Sequence, residues 1–308
     1  MSGRGLVIGY GSIGERHARV LEALGFAVSV VSRRREGGGR AVFASMDEAQ
    51  SAGPADYVVV ADETGRHAET LAGLAASGHR GSVLVEKPLF AAASPLPAHR
   101  FGRAGVGYNL RFHPALRALR AALAGRPVQM ANFYAGQHLG DWRPGRDMAR
   151  TYSASRAAGG GVLRDLSHEL DLATWLFGPW RRVAAVGGRL GSVTVDADDG
   201  WGILLGCEGC PVVTIELNSL DRSGRRVVTV QADGETLRAD LVASTLEIGR
   251  EKQSLKSDRD QTYADMHRAL LDGSPDVCSF GEGERVVGLI EAIETAAHER
   301  RWIEGAAA

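Results

Sequence analysis

The chain has 308 residues, 44% hydrophobic and 24% charged, with 36 Lys+Arg against 37 Asp+Glu and a formal net charge of -1. These values are ordinary for a soluble globular protein, and 40 glycines with 10 prolines fall short of the roughly 25–30% that marks low complexity. Disorder, collagen and a coiled-coil rod are excluded. The balanced charge gives no bulk attraction to nucleic acid or a membrane surface.

No apolar run approaches the ~20 residues of a membrane span. Met1-Ser2-Gly3-Arg4 runs directly into Leu6-Val7-Ile8-Gly9 with no leader-like arrangement, so the expected location is the cytoplasm. The three cysteines (Cys207, Cys210, Cys278) are too few for a disulfide framework. Only three of the 36 basic residues are lysines: Lys87, Lys252 and Lys256. A lysine retained in so arginine-rich a chain gains interest when it falls in a motif, because ammonium and guanidinium do different chemistry.

In chain order, residues 6–10 read as a strand, 12–24 as a helix and 27–31 as a second strand. Strands follow at 56–61, 82–86 and 105–108, with a helix over 66–77. Continuous Val-rich runs predict strands buried on both faces, and strand–helix repetition predicts a parallel, doubly wound α/β sheet. After Phe112 the pattern changes. A helix over 114–123, a strand over 128–134 and a polar, aromatic-rich loop lead to one strong helix over 161–177. Residues 181–248 read as successive strands punctuated by Gly187-Gly188, Glu208-Gly209, Ser223-Gly224 and Asp233-Gly234. Helices over 260–271 and 283–298 close the chain. The expected organisation is a Rossmann domain over 1–111 and an α+β domain with a largely antiparallel open sheet over 112–308, its last helix able to pack back on the first domain.

Gly9-Tyr10-Gly11-Ser12-Ile13-Gly14 is a G-x-G-x-x-G run between a strand and a helix. Gly9 permits the tight turn, Gly11 admits a pyrophosphate to the backbone, and Gly14 allows close helix–strand packing. The second strand ends in Ser32-Arg33-Arg34, where NAD-binding sites carry a carboxylate for the ribose 2′-OH. A hydroxyl and guanidinium groups there suit a 2′-phosphate, so NADP is preferred over NAD. The alternative is a solvated arginine cluster.

Glu86-Lys87-Pro88 ends the strand over 82–86, at the sheet edge where open α/β sheets bind ligands. Gly159–Asp171 carries Asp165, His168 and Glu169. On one continuous helix these share a face at i, i+3 and i+4, a carboxylate–imidazole arrangement able to handle a proton. Trp142 and Tyr152 suit stacking on sugar faces, and Arg143 or Arg146 an anionic group. Cys207-Glu208-Gly209-Cys210 reads as a hairpin turn, since a zinc ribbon needs a second cysteine pair. No metal is expected, and His17, His79, His99, His138, His267 and His298 show no ligand spacing.

Together these segments resemble the Gfo/Idh/MocA family of NAD(P)-dependent oxidoreductases, which act mostly on sugars and cyclitols. The resemblance runs from Gly9–Gly14 through Glu86-Lys87-Pro88, Gly107–Pro114, Gly159–Asp171 and Trp175–Gly178 to 260–272 and 280–297. It implies Lys87, Asp165 and His168 as catalytic residues. It also implies Glu86, Asn109, Thr64 and His67 near the cofactor, with Arg111 and Glu169 beside Asp165 and His168 at the substrate. The implied substrate is a secondary hydroxyl or keto group of a sugar, cyclitol or nucleotide-sugar, and the second domain's sheet is the implied surface for a homodimer or homotetramer. Two departures stand out. His168 is three residues after Asp165 rather than four, which leaves the base open between His168 and Glu169. Ala61-Asp62-Glu63 replaces the family's A-T-P. A non-catalytic dinucleotide or sugar sensor, or an epimerase or eliminase that returns the hydride, is the rival reading on the same fold.

Overall fold

The computed structural model describes residues 3–33, 37–138, 140, 159–191 and 196–305. They fall into two compact units: residues 1–109 with 258–287, and residues 110–257 with 288–308.

The first unit is built on six parallel strands, β1 (Arg4–Ile8), β2 (Ala27–Val31), β3 (Ala41–Phe43), β4 (Tyr57–Val60), β5 (Ser82–Val85) and β6 (Ala104–Val106), in the order β3-β2-β1-β4-β5-β6. All four residues of β4 are buried, which is what helices on both faces of a parallel sheet require. The helices are α1 (Ser12–Ala23), α2 (Met46–Ser51) and α3 (His67–Ala76), with a 3-10 turn over Thr64–Arg66. Strand β3 and helix α2 are absent from the sequence-based reading. A three-residue strand carries too little periodicity to see, but α2 has a legible cap: Ser45 accepts the Glu48 N–H, and the Glu48 carboxylate takes the Ala44 N–H at 2.7 Å. Residues 258–287 supply α7 (Gln261–Asp272), whose Met266, His267 and Leu270 are buried, and Cys278, which bridges to Val106 on the edge strand.

The second unit holds a nine-stranded sheet ordered β14-β13-β12-β11-β7-β10-β9-β8-β15. Its strands are β7 (Val128–Gly136), β8 (Trp180–Gly188), β9 (Gly200–Cys207), β10 (Cys210–Asn218), β11 (Arg225–Ala232), β12 (Glu235–Asp240), β13 (Thr245–Ile248), β14 (Glu251–Ser254) and β15 (Ile303–Glu304). All neighbours are antiparallel except β7 and β10. The β9–β10 hairpin pairs Cys207 with Cys210, both free thiols, so that run is a turn. Asp233 and Gly234 both take positive φ, 51° and 77°, in the Asp-Gly hairpin joining β11 to β12.

The continuous helix expected over 161–177 is broken. It becomes α5 (Val162–Asp165) and α6 (His168–Phe177), preceded in the chain by α4 (Pro114–Leu123). At the break the Ser167 N–H turns to Arg164 O and the Glu169 N–H to Leu166 O, both at 3.3 Å and both i→i−3. That tighter turn interrupts the i→i−4 ladder, so Asp165 ends one helix and His168 begins the next. The last helix, α8 (Phe280–Glu299), starts three residues before the sequence reading places it.

Candidate active site

In the first unit, β1 ends at Ile8 and Gly9 turns the chain with φ +91°, its N–H bonded to Val31 O. A Cβ at Gly9 would strike the Asp62 backbone, and one at Gly14 would strike the Gly9 carbonyl. A Cβ at Gly11 would meet nothing within 4 Å. Gly11 also caps α1 without a side-chain bond, so Ser12, Ile13 and Gly14 begin the helix with no side-chain cap on their backbone N–H groups. An uncapped helix N-terminus with open space at the Gly11 Cβ position fits a dinucleotide pyrophosphate. Tyr10 is fixed by Arg40, whose NH1 reaches the tyrosine hydroxyl at 2.7 Å while Glu22 takes the rest of the guanidinium. Sequence reading gave Arg40 no part in this loop.

At the end of β2, Ser32 is buried, with its N–H on Phe43 O of β3, and Arg33 is exposed. Arg34 lies outside the described residues. The Asp62 carboxylate accepts the Thr70 hydroxyl at 2.7 Å, so it is turned toward α3. Thr64 is buried in the 3-10 turn. His67 is buried beside it, Nδ1 at 3.1 Å from Pro88 O and 3.2 Å from Leu89 O, and Nε2 at 3.3 Å from Asp62 O. The loop after β4 is thereby pinned to the segment that follows Lys87.

Lys87 is half-buried directly after β5, joined to Pro88 by a cis peptide bond. Glu86 beside it is buried, Oε1 at 2.8 Å from Nε2 of His17 and Oε2 at 3.2 Å from the Lys87 N–H. Burial alone would push the Glu86 carboxyl up. The His17 hydrogen bond and the neighbouring Lys87 outweigh it and hold the group below its usual range. Asn109 donates to the Thr262 hydroxyl at 2.8 Å, which commits its amide to α7.

In the second unit Asp165 closes α5 and His168 opens α6, both buried. The Asp198 carboxylate, entering from before β9, accepts the Leu163 N–H at 2.9 Å and the Trp201 indole N–H at 2.6 Å. It thus fixes the start of the helix that carries Asp165. Glu169 is 1% exposed and receives Arg226 of β11 through Nε at 2.7 Å and NH2 at 2.8 Å. Arg111, in a 3-10 turn over Asn109–Phe112, is also 1% exposed. Its Nε and NH2 reach the Asp171 carboxylate at 2.9 and 2.7 Å. Arg111 and Asp171 therefore form a buried ion pair, while the buried Glu169 pairs with a partly exposed arginine. Trp142 and Tyr152, with Arg143 and Arg146, lie outside the described residues. Among the described residues no group of three or more His, Cys, Asp or Glu is arranged to hold a metal ion, and no helix is long and apolar enough to cross a membrane.

A parallel six-stranded sheet with an uncapped glycine-rich turn after its first strand, continued into an α+β unit, defines a dinucleotide-fold protein of two parts. Residues 116–246 match the family model of the GFO/IDH/MocA C-terminal domain. The rhizopine catabolism protein MocA of Rhizobium meliloti is 29% identical over 187 residues, which cover 56% of this chain and 56% of that protein. The match thus spans little more than half of that relative's length. Solved structures share the fold. GenD2 from gentamicin A biosynthesis, in complex with NAD, has a TM-score of 0.81 at 24% identity, covering 100% of this chain and 97% of its own. Levoglucosan dehydrogenase with NADH and levoglucosan has 0.83 at 16%, covering 100% of both chains. The WlbA dehydrogenase of Bordetella pertussis, with NADH and UDP-GlcNAcA, has 0.78 at 19%, covering 100% and 99%. The likeness to the Gfo/Idh/MocA family is thus carried by residues 116–246 of the second unit, and the solved structures share the fold of the whole chain.

Proposed function

We propose that the protein is an NAD(P)-dependent oxidoreductase acting on a secondary hydroxyl or keto group of a sugar, cyclitol or nucleotide-sugar. The observation that carries this reading is the open turn at Gly11 over the uncapped start of α1, in the unit whose β5 delivers Glu86-Lys87-Pro88 to its carboxyl end. Gly9, Gly11, Ser12, Ile13 and Gly14 would hold the pyrophosphate, and Thr64, His67, Glu86, Lys87 and Asn109 would frame the remainder. The nicotinamide supplies hydride acceptance or donation when bound.

Asp165 and His168, helped by Lys87, handle the proton of the reacting hydroxyl. Arg111 and Glu169 support these residues through their ion pairs with Asp171 and Arg226, and Trp142 and Tyr152 offer faces for the sugar. NADP is the preferred partner, because Ser32 and Arg33 stand where an NAD-binding strand would present a carboxylate. A second copy of the chain would pair through the nine-stranded sheet, whose exposed Met130 and Leu204 support such a contact.

A parallel titration with NADPH and NADH, followed by nicotinamide fluorescence, tests the cofactor reading. Tight NADPH binding with weak NADH binding supports it, the reverse preference overturns the NADP choice, and binding of neither overturns the oxidoreductase reading. Lys87→Ala is expected to abolish turnover while sparing dinucleotide binding.

A further inference from the structure

Four side chains, from α1, β4, α7 and the turn after β5, meet in the interior of the first unit. Nε2 of His17 (α1) lies 2.8 Å from Oε1 of Glu86, and its Nδ1 lies 2.8 Å from Nε2 of His267 (α7). Nδ1 of His267 lies 2.6 Å from the hydroxyl of Tyr57 (β4). His17, His267 and Tyr57 are all 0% exposed. The Tyr263 ring packs edge-on against His17 at 5.4 Å, closing that side.

Proton counting sets the direction of the chain. The Tyr57 hydroxyl has one acceptor among the described residues, Nδ1 of His267, so it donates there. His267 must then carry its proton on Nε2 and donate to Nδ1 of His17. His17 in turn carries its proton on Nε2 and donates to the Glu86 carboxylate. Every donor finds an acceptor with both rings neutral and Glu86 ionised. Burial holds the His267 imidazole well below its ordinary range and the Tyr57 phenol well above its own.

The far end of the chain is the backbone that presents Lys87. Glu86 accepts His17 with one oxygen and the Lys87 N–H with the other. Gly107 leaves room for it, since a Cβ there would stand 2.8 Å from Oε1. We infer that Tyr57, His267 and His17 are positioning residues, a one-directional hydrogen-bond chain that holds the Glu86 carboxylate and through it the turn bearing Lys87. The chain follows from the geometry alone, and its catalytic meaning rests on the oxidoreductase reading.

Two measurements test it on the full-length protein. The first is the ring-nitrogen NMR spectrum of 15N-histidine-labelled protein, assigned by loss of signals in His17→Gln and His267→Gln. Both rings are expected as the Nε2–H tautomer, and an Nδ1–H signature on either ring overturns the chain. The second is trace acetylation of Lys87 relative to exposed Lys256, read by mass spectrometry. His267→Phe keeps the volume but cuts the chain, and is expected to change that ratio by about threefold, the size of one net hydrogen bond. His267→Gln, whose amide can both accept from Tyr57 and donate to His17, is expected to restore it. A wild-type ratio in His267→Phe, or failure of Gln to restore it, overturns the positioning role. If His267→Phe does not fold, Tyr57→Phe removes a single hydroxyl from the chain's end and is read in the same way. NADPH and NADH titration of the unmodified protein, run alongside, separates failure of the oxidoreductase reading from failure of the chain.

Discussion

Family resemblance places Arg111 beside the substrate, whereas the structure buries it against Asp171, and the two views make opposing predictions. Asp171→Leu leaves a guanidinium that is 1% exposed without the carboxylate that receives its Nε at 2.9 Å and NH2 at 2.7 Å. Removing one member of a buried pair costs about 3–5 kcal/mol, because the surviving charge stays desolvated. Arg111→Met should cost a similar amount for the same reason, since the Asp171 carboxylate loses both of these bonds while staying buried. The double variant Arg111→Met/Asp171→Leu should cost far less than the two singles together, leaving a coupling of about 2–3 kcal/mol in a double-mutant cycle. Urea unfolding followed by tryptophan fluorescence is well suited to the measurement. All five tryptophans (Trp142, Trp175, Trp180, Trp201 and Trp302) fall within residues 110–257 and 288–308, so the signal reports the unit that contains the pair. The Trp175 ring is also 5.9 Å from the Arg111 guanidinium. A loss below about 1 kcal/mol in Asp171→Leu, together with a raised KM in Arg111→Met, would refute the argument and return Arg111 to the substrate pocket.

Gly11→Ala should leave Tm unchanged, because its Cβ meets nothing, yet weaken NADPH binding about tenfold by occupying the pyrophosphate's approach, whereas Gly14→Ala should lower Tm through its clash with the Gly9 carbonyl. Equal effects of the two substitutions on Tm would contradict this assignment. Asp198→Ala should cost about 1–2 kcal/mol in urea unfolding by uncapping α5, with a change in Trp201 emission as its indole N–H loses its acceptor. His267 binds its proton less readily folded than unfolded, so stability should fall as pH drops below 6.5, by up to about 1.4 kcal/mol per pH unit while only the unfolded chain protonates. In His267→Gln the curve of stability against pH should be flatter from 6.5 downward, measured by circular dichroism melting. An unchanged curve would count against a buried neutral imidazole.

The parallel sheet of the first unit was legible because Tyr57–Val60 and Ser82–Val85 are continuous apolar runs, and the fingerprint because glycine spacing reports backbone geometry directly. Strand β3 was not legible, since three residues leave no period to detect. The break between α5 and α6 was hidden because Leu166 and Ser167 are tolerated in a helix. The constraint comes from outside, from Asp198 gripping the start of α5 from 35 residues later in sequence. His17 and His267 lie 250 residues apart. Neither belongs to a spaced motif, so nothing local links them, and only the return of the chain after residue 257 brings them together. Glu169 was read as part of the proton-handling face. Its commitment to Arg226 depends on a strand whose register no local pattern discloses.

That return also shapes how the protein is made. The first unit needs residues 258–287, so its strands leave the ribosome on the order of ten seconds before α7 does, at typical synthesis rates. Until then Val106 on β6 has no Cys278 to cover the sheet edge, and the buried hydroxyl of Tyr57 and Nδ1 of His17 lack their shared partner. A bare strand edge on a nascent chain is a template for mispairing. The second unit's sheet is largely synthesised during that interval, and the nucleotide-fold unit is completed only as the last two helices arrive. Fragments ending near Asn109 should therefore aggregate, although they contain the whole glycine fingerprint.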